Sequence, residues 1–95
     1  MSEQAPSRRL DQWLFVARLC KSRRRAGELI EAGRVRVNRV VVTKRHFAVR
    51  PGHILTLPQG PHIRVVKVSG LGETRRSAQE ARQLYYDLEP PRTST

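Results

Sequence analysis

Between Ser22 and Asn38 the apolar spacing of the chain changes period, and that change dictates a helix running directly into a strand. Ala26, Leu29 and Ile30 recur at intervals of three and four, so they share one side of a helix. Arg34-Val35-Arg36-Val37-Asn38 instead alternates strictly, which sorts two valines onto one face of a strand and Arg34, Arg36 and Asn38 onto the other. Ser22 is placed to cap the start of the helix and Gly33 to stop it after about ten residues. Val40-Val41-Val42-Thr43 returns as a partner strand across a turn at Asn38-Arg39, although an arginine is a poor second residue for a turn that requires positive φ. The helix needs a neighbour for its apolar side. Leu10, Trp13, Leu14 and Ala17 supply one, a first helix of about three turns capped by Ser7, with Phe15 and Val16 beside the stripe and Asp11 near its positive end.

The link between these helices is Lys21-Ser22-Arg23-Arg24-Arg25, and it violates a local rule. Cations in the first turn face the positive end of the helix macrodipole, a repulsion of about 0.3–1 kcal/mol each. The same helix end directs unpaired backbone N–H groups outward, so an external anion would satisfy amides and guanidinium groups together. Phosphate fits, which makes nucleic-acid binding the leading expectation. On the helical wheel Arg24 shares a face with Glu28 and Glu31, whereas Arg23 has less to pair with locally. Gly27 costs about 1 kcal/mol relative to alanine in a helix, and either close approach of a partner or simple tolerance of that cost would account for it.

Charge points the same way. The 95 residues hold 19 Lys and Arg against 8 Asp and Glu, a net charge of +11 and a pI near 11.5, the footprint of a nucleic-acid binder. The first 50 residues carry 13 basic and 4 acidic groups, so most of the excess lies there. A chain of this length hides only about 60–65% of its unfolded surface, too little for a large enzyme cleft. Cys20 is the single cysteine, which excludes an internal disulfide and fits a cytoplasmic setting. His46, His53 and His62 stand in no ligand or nucleophile–base spacing, so no metal, cofactor, catalytic residue or small-molecule substrate is expected. No apolar run approaches the roughly 18 residues of a membrane span, and no membrane partner is expected.

The remaining segments complete an α+β domain: two N-terminal helices packed on a small antiparallel sheet, plus a C-terminal helix. Residues 1–6 read as a flexible arm, 7–89 as a single domain and 90–95 as a tail. Arg50-Pro51-Gly52 is a turn, His53–Leu57 a strand, Pro58-Gln59-Gly60-Pro61 a second turn and His62–Val68 a strand. Ser77 and Glu80 form a capping box, after which Ala81, Leu84, Tyr85 and Leu88 fall on one helical stripe that ends at Pro90-Pro91.

Taken together, Arg9-Leu10-Asp11-x-Trp13-Leu14, Ala17-Arg18, Lys21-Ser22-Arg23-x-x-Ala26-x-x-Leu29-Ile30 and Gly33-x-Val35-x-Val37-Asn38 resemble the RNA-binding domain of the ribosomal protein S-four type, over roughly residues 9–57. Trp13, Arg75-Arg76, Glu80-Ala81 and Leu84-Tyr85 are similar to the ribosome-associated heat-shock protein fifteen group. The resemblance implies RNA across the start of the second helix and the adjoining hairpin, on Arg9, Lys21, Ser22, Arg23, Arg34, Arg36, Asn38 and Lys44, to which the local charge adds Arg24 and Arg25. It implies ribosomal RNA of the large subunit as partner and a stress-linked role at stalled or dissociated subunits. The family often has Asn-Gly where this chain has Asn38-Arg39.

Two readings of other classes compete. A helix-turn-helix reading DNA with residues 22–32 would have to turn Glu28 and Glu31 toward phosphates, so DNA is expected to bind more weakly than RNA. A protein-interaction module would rest on Phe15 and the amphipathic last helix. With only five aromatic residues and no aromatic strand, base-stacking platforms are not indicated, and a structured RNA is favoured over a sequence.

Overall fold

The computed structural model describes residues 6–72 and 78–89. In chain order the elements are β1 (Arg8–Arg9), α1 (Leu10–Val16), α2 (Arg23–Glu31), β2 (Val35–Val37), β3 (Val40–Val42), β4 (Ala48–Val49), β5 (Ile54–Gln59), β6 (His62–Val68), α3 (Ala78–Ala81), a 3-10 turn (Arg82–Leu84) and β7 (Tyr85–Glu89). Five strands form one antiparallel sheet in the order β3-β2-β5-β6-β7, and β1 pairs with β4 in a separate two-stranded ladder. Helices and sheet meet over a core in which Leu10, Trp13, Leu14, Ala26, Ile30, Val35, Leu55 and Val66 are fully buried. The expected α+β arrangement is the one observed.

α1 differs from expectation at both ends. Ser7 does not cap it; the N-cap is Arg9, which makes no side-chain capping bond. The first amides are satisfied by backbone instead, Leu10 N–H donating to the Phe47 carbonyl at 2.8 Å and Asp11 N–H to that of Arg45 at 3.1 Å, so the helix start is built by residues nearly 40 positions away. At the other end Arg18 takes φ +61°, with its N–H on the Phe15 carbonyl and the Leu19 N–H on that of Leu14. This is the Schellman pattern with an arginine where glycine is usual, and it limits α1 to seven residues. α2 follows its sequence signals. Ser22 Oγ accepts from the Arg25 N–H at 3.0 Å, and Gly33 (φ +75°) closes the same pattern at the far end, with Arg34 N–H on the Leu29 carbonyl.

The Asn38-Arg39 turn keeps both residues at positive φ, +51° and +73°, so Arg39 does adopt the conformation that glycine takes more easily. Asn38 secures it. Its N–H donates to the Ile54 carbonyl at 2.7 Å and its Oδ1 accepts from the Ile54 N–H at 2.9 Å, tying the hairpin to β5. β5 runs through Pro58 and Gln59, which were expected in the turn, and only Gly60-Pro61 separate it from β6.

The largest correction concerns the C-terminal segment. Ser77, proposed as a cap, and Arg75-Arg76 lie outside the described residues, as do residues 1–5 and 90–95. A C-terminal helix exists but spans four residues, and the segment from Tyr85 onward is a strand paired with β6. Tyr85 and Leu88 therefore do not share a helical face: Tyr85 is buried in the core, whereas Leu88 is 45% exposed. Pairing decides this outcome, because β6 offers a free edge and Arg64 on β6 grips Asp87 through two hydrogen bonds of 2.8 and 3.0 Å. Trp13 sits where the two regions meet, its ring edge-on to Tyr85 and its Nε1–H donating to the Gly70 carbonyl at 2.8 Å.

Candidate nucleic-acid interface

Of the ten residues expected to bind RNA, the fold gathers four around one groove. The link from Arg18 to Ser22, Arg25 and Leu29 of α2, and Arg34 at the entry to β2 form one side; Pro58, Gln59 and Gly60 at the end of the β5–β6 hairpin form the other. Lys21, Ser22, Arg25 and Arg34 are thus neighbours on a single concave surface, with Arg18 beside them. Leu19 and Cys20 are buried beneath, and Leu29 is half-buried. Sequence reasoning missed Arg18 and the hairpin residues. Only the left-handed turn at Arg18 and the length of β5 bring them here, and neither is marked by a glycine.

The electrostatics divide the cations into engaged and open. Arg24 pairs with Glu28 at 3.4 Å and Arg25 approaches the same carboxylate at 4.0 Å, both in exposed positions where such pairs contribute little. Glu31 was expected to share a face with Arg24; its partner is Arg45, at 2.8 Å, and that hydrogen bond holds the Glu31 carboxyl below its ordinary value. The Arg45 guanidinium also lies across the helix at Gly27, where a β-carbon would have to push that flexible end aside. The close approach inferred from that glycine comes from the chain itself. Among the described residues Lys21, Arg23, Arg34, Arg36, Arg39 and Lys44 make no ion pair.

Arg23 and Arg24 open α2 next to Ser22, outside the groove lining, and the remaining expected residues are dispersed. Arg9 makes two hydrogen bonds to Asp11, of 3.1 and 3.0 Å, and Asp11 is 2% exposed, so this arginine neutralises a buried carboxylate. The Oδ1 of Asn38 is taken by Ile54, Arg36 projects from β2 on the side away from its buried valines, and Lys44 follows β3 as an exposed cation. Cys20 borders the groove, but burial pushes its thiol up to about 11 despite the opposing pull of Arg25, which leaves it a neutral, weak nucleophile. No group of three potential metal ligands occurs among the described residues, and no described helix is long and apolar enough to cross a membrane.

Two helices packed against a five-stranded antiparallel sheet, with a cationic groove beside the capped start of α2, define the chain to be compared with known proteins. The S4 domain family matches residues 8–55, and the chain belongs to that family. Within it, the chain is 41% identical over 83 residues to a heat shock protein 15 homolog of Haemophilus influenzae, covering 85% of this chain and 61% of that protein. It is 38% identical over 89 residues to an RQC P-site tRNA stabilizing factor of Listeria innocua, covering 94% and 95% respectively. The solved trimeric structure of Vibrio cholerae heat shock protein 15 superposes with a TM-score of 0.82 at 35% identity, over 86% of this chain and 82% of that one. The chain therefore spans about three-fifths of the first relative and nearly the whole of the second.

Proposed function

We propose that this protein binds structured RNA through the rim of the groove, and that its target is ribosomal RNA of the large subunit, occupied during stress when subunits stall or dissociate. The observation that carries the reading is that Lys21 and Arg34, neither in an ion pair among the described residues, line the groove beside the capped start of α2, with Arg23 opening that helix, where the amides also favour an anion. A net charge of +11 concentrated in the first half suits a dense phosphate surface. The names of the relatives, a heat shock protein and a factor stabilising P-site tRNA, support a ribosomal setting and a role in rescue of stalled complexes. Glu28 and Glu31 are both exposed on α2, which argues against laying that helix in a DNA major groove.

Two measurements test this reading. Binding to a structured RNA should weaken with salt along a log–log slope of about −3 to −5, as for roughly four to six neutralised phosphates, and should exceed binding to a DNA duplex of equal length. In sucrose gradients of cell lysate the protein should travel with free large subunits, more so after heat shock, and Arg23→Glu should return it to the top. Wild-type protein that stays at the top while binding purified RNA would remove the ribosomal assignment.

A further inference from the structure

The family match ends at residue 55, yet the groove beside Lys21 is completed by Pro58, Gln59 and Gly60, from the hairpin beyond it. A phosphate needs only the cationic rim. It has no use for the apolar floor of Leu19 and Leu29 or for an amide side chain on the opposite wall. A nucleotide uses all three, provided its base is unpaired and out of the helical stack, because only then is a flat face available to lie on an apolar floor and a base edge available to a hydrogen-bond donor.

Gln59 is oriented for that task by the sheet. It follows Leu55 and Leu57 on the helix-facing side of β5. Arg64 Nη1 donates to Gln59 Oε1 at 3.2 Å, and since a guanidinium only donates, the amide oxygen is fixed toward Arg64. Arg64 is itself held, by its two hydrogen bonds to Asp87, by one of 3.1 Å to the Tyr85 hydroxyl, and by the Tyr85 ring 5.2 Å from its Cζ. The amide NH2 is left with no partner among the described residues. One end of the side chain is anchored in the fold and the other is an unused pair of donors at a groove.

We infer that this groove receives one unpaired RNA nucleotide, its phosphate held by Lys21, Arg25 and Arg34 and the acceptor edge of its base bonded by the Gln59 amide. This rests on the RNA-binding reading above and deepens it: the rim supplies affinity for any RNA, and Gln59 supplies preference for RNA with a nucleotide displaced from its helix.

The test uses the full chain and three fluorescent RNA hairpins, one with a perfect stem, one with a single bulged uridine, and one with an abasic ribose in place of that uridine. Wild-type protein should bind the bulged stem about tenfold more tightly than the other two, in keeping with one base contact. Gln59→Met keeps the side-chain length without the donors and should reduce that preference to within about twofold. Gln59→Glu, which keeps the oxygen that Arg64 requires, should lose the preference as well, and circular dichroism confirms that both variants are folded. Equal binding of bulged and perfect stems by wild-type protein, or a preference that survives in Gln59→Met, overturns this inference and leaves RNA binding standing. Failure to bind any of the three hairpins overturns both.

Discussion

Arg9 tests whether a cation at a position that the family resemblance assigns to RNA belongs to the interface or to the fold. Replacing it with alanine removes two charge-assisted hydrogen bonds from Asp11, whose side chain is 3% exposed, while the Arg9 side chain is 47% exposed. Removing one partner of a fully buried pair costs about 3–5 kcal/mol, and an exposed pair contributes about 0.2–1 kcal/mol. Here one partner is enclosed and the other half solvated, so Arg9→Ala should destabilise by about 2 kcal/mol, or roughly 8–16 °C in Tm for a domain of this size. Asp11→Asn in the same chain should recover about half of that loss, because the uncompensated charge is then gone. Trp13, the single tryptophan and fully buried, reports unfolding directly by fluorescence. Affinity for structured RNA, measured well below the melting transition, should change by less than about threefold, since one remote charge among the contacts is lost. An Arg9→Ala variant that melts with wild type and binds RNA more than about tenfold more weakly would refute the reasoning and return Arg9 to the interface.

Further outcomes follow from other groups. Arg23→Glu should weaken RNA binding several-fold more than Arg24→Glu, because Arg24 already has Glu28 and Arg23 has no ion pair; anisotropy titrations at equal salt decide it. Iodoacetamide should alkylate Cys20 about a hundredfold more slowly at pH 8 than a thiol with the ordinary value of 9.0, and bound RNA should slow it further, as mass spectrometry would register. For His53, burial foremost and then Arg50 depress proton affinity in the folded state, and its Nδ1 accepts from the Arg50 N–H. The unfolded chain therefore takes up the proton first as pH falls through about 6.5, so this contribution is present above that pH and lost below it. Urea midpoints should decline on mild acidification, and less so in His53→Gln.

The elements that were legible are those whose signals are local. Ser22, the Ala26-Leu29-Ile30 stripe and Gly33 lie within one helix and mark it at both ends. The alternation around Val35 and Val37 placed its strand for the same reason. Residues 85–89 carry a helical signal, because Tyr85 and Leu88 fit a helical stripe, while the features that make them a strand, the open edge of β6 and the grip of Arg64 on Asp87, sit some twenty residues earlier. The short β1 leaves no signal in the sequence because two residues carry no period, and its partner at Ala48–Val49 is equally short. At the site, the number of cations could be read but not which of them were committed. Glu31 lies closer in sequence to Arg24 than to Arg45, yet it is Arg45 that reaches it, and a wheel drawn on one helix cannot show a side chain arriving from outside.

The guanidinium of Arg45 resting across Gly27 makes two distant positions a single choice. As long as residue 45 is an arginine laid against α2 and bonded to Glu31, residue 27 has no room for a β-carbon. Where a related chain carries alanine at 27, the flexible end of the arginine must swing aside and remake its bond to the acid at 31 from its new position. Positions 27, 31 and 45 are accordingly coupled through one flexible side chain, and a laboratory chimera that exchanges the second helix without the segment after the third strand would make that arginine reseat itself.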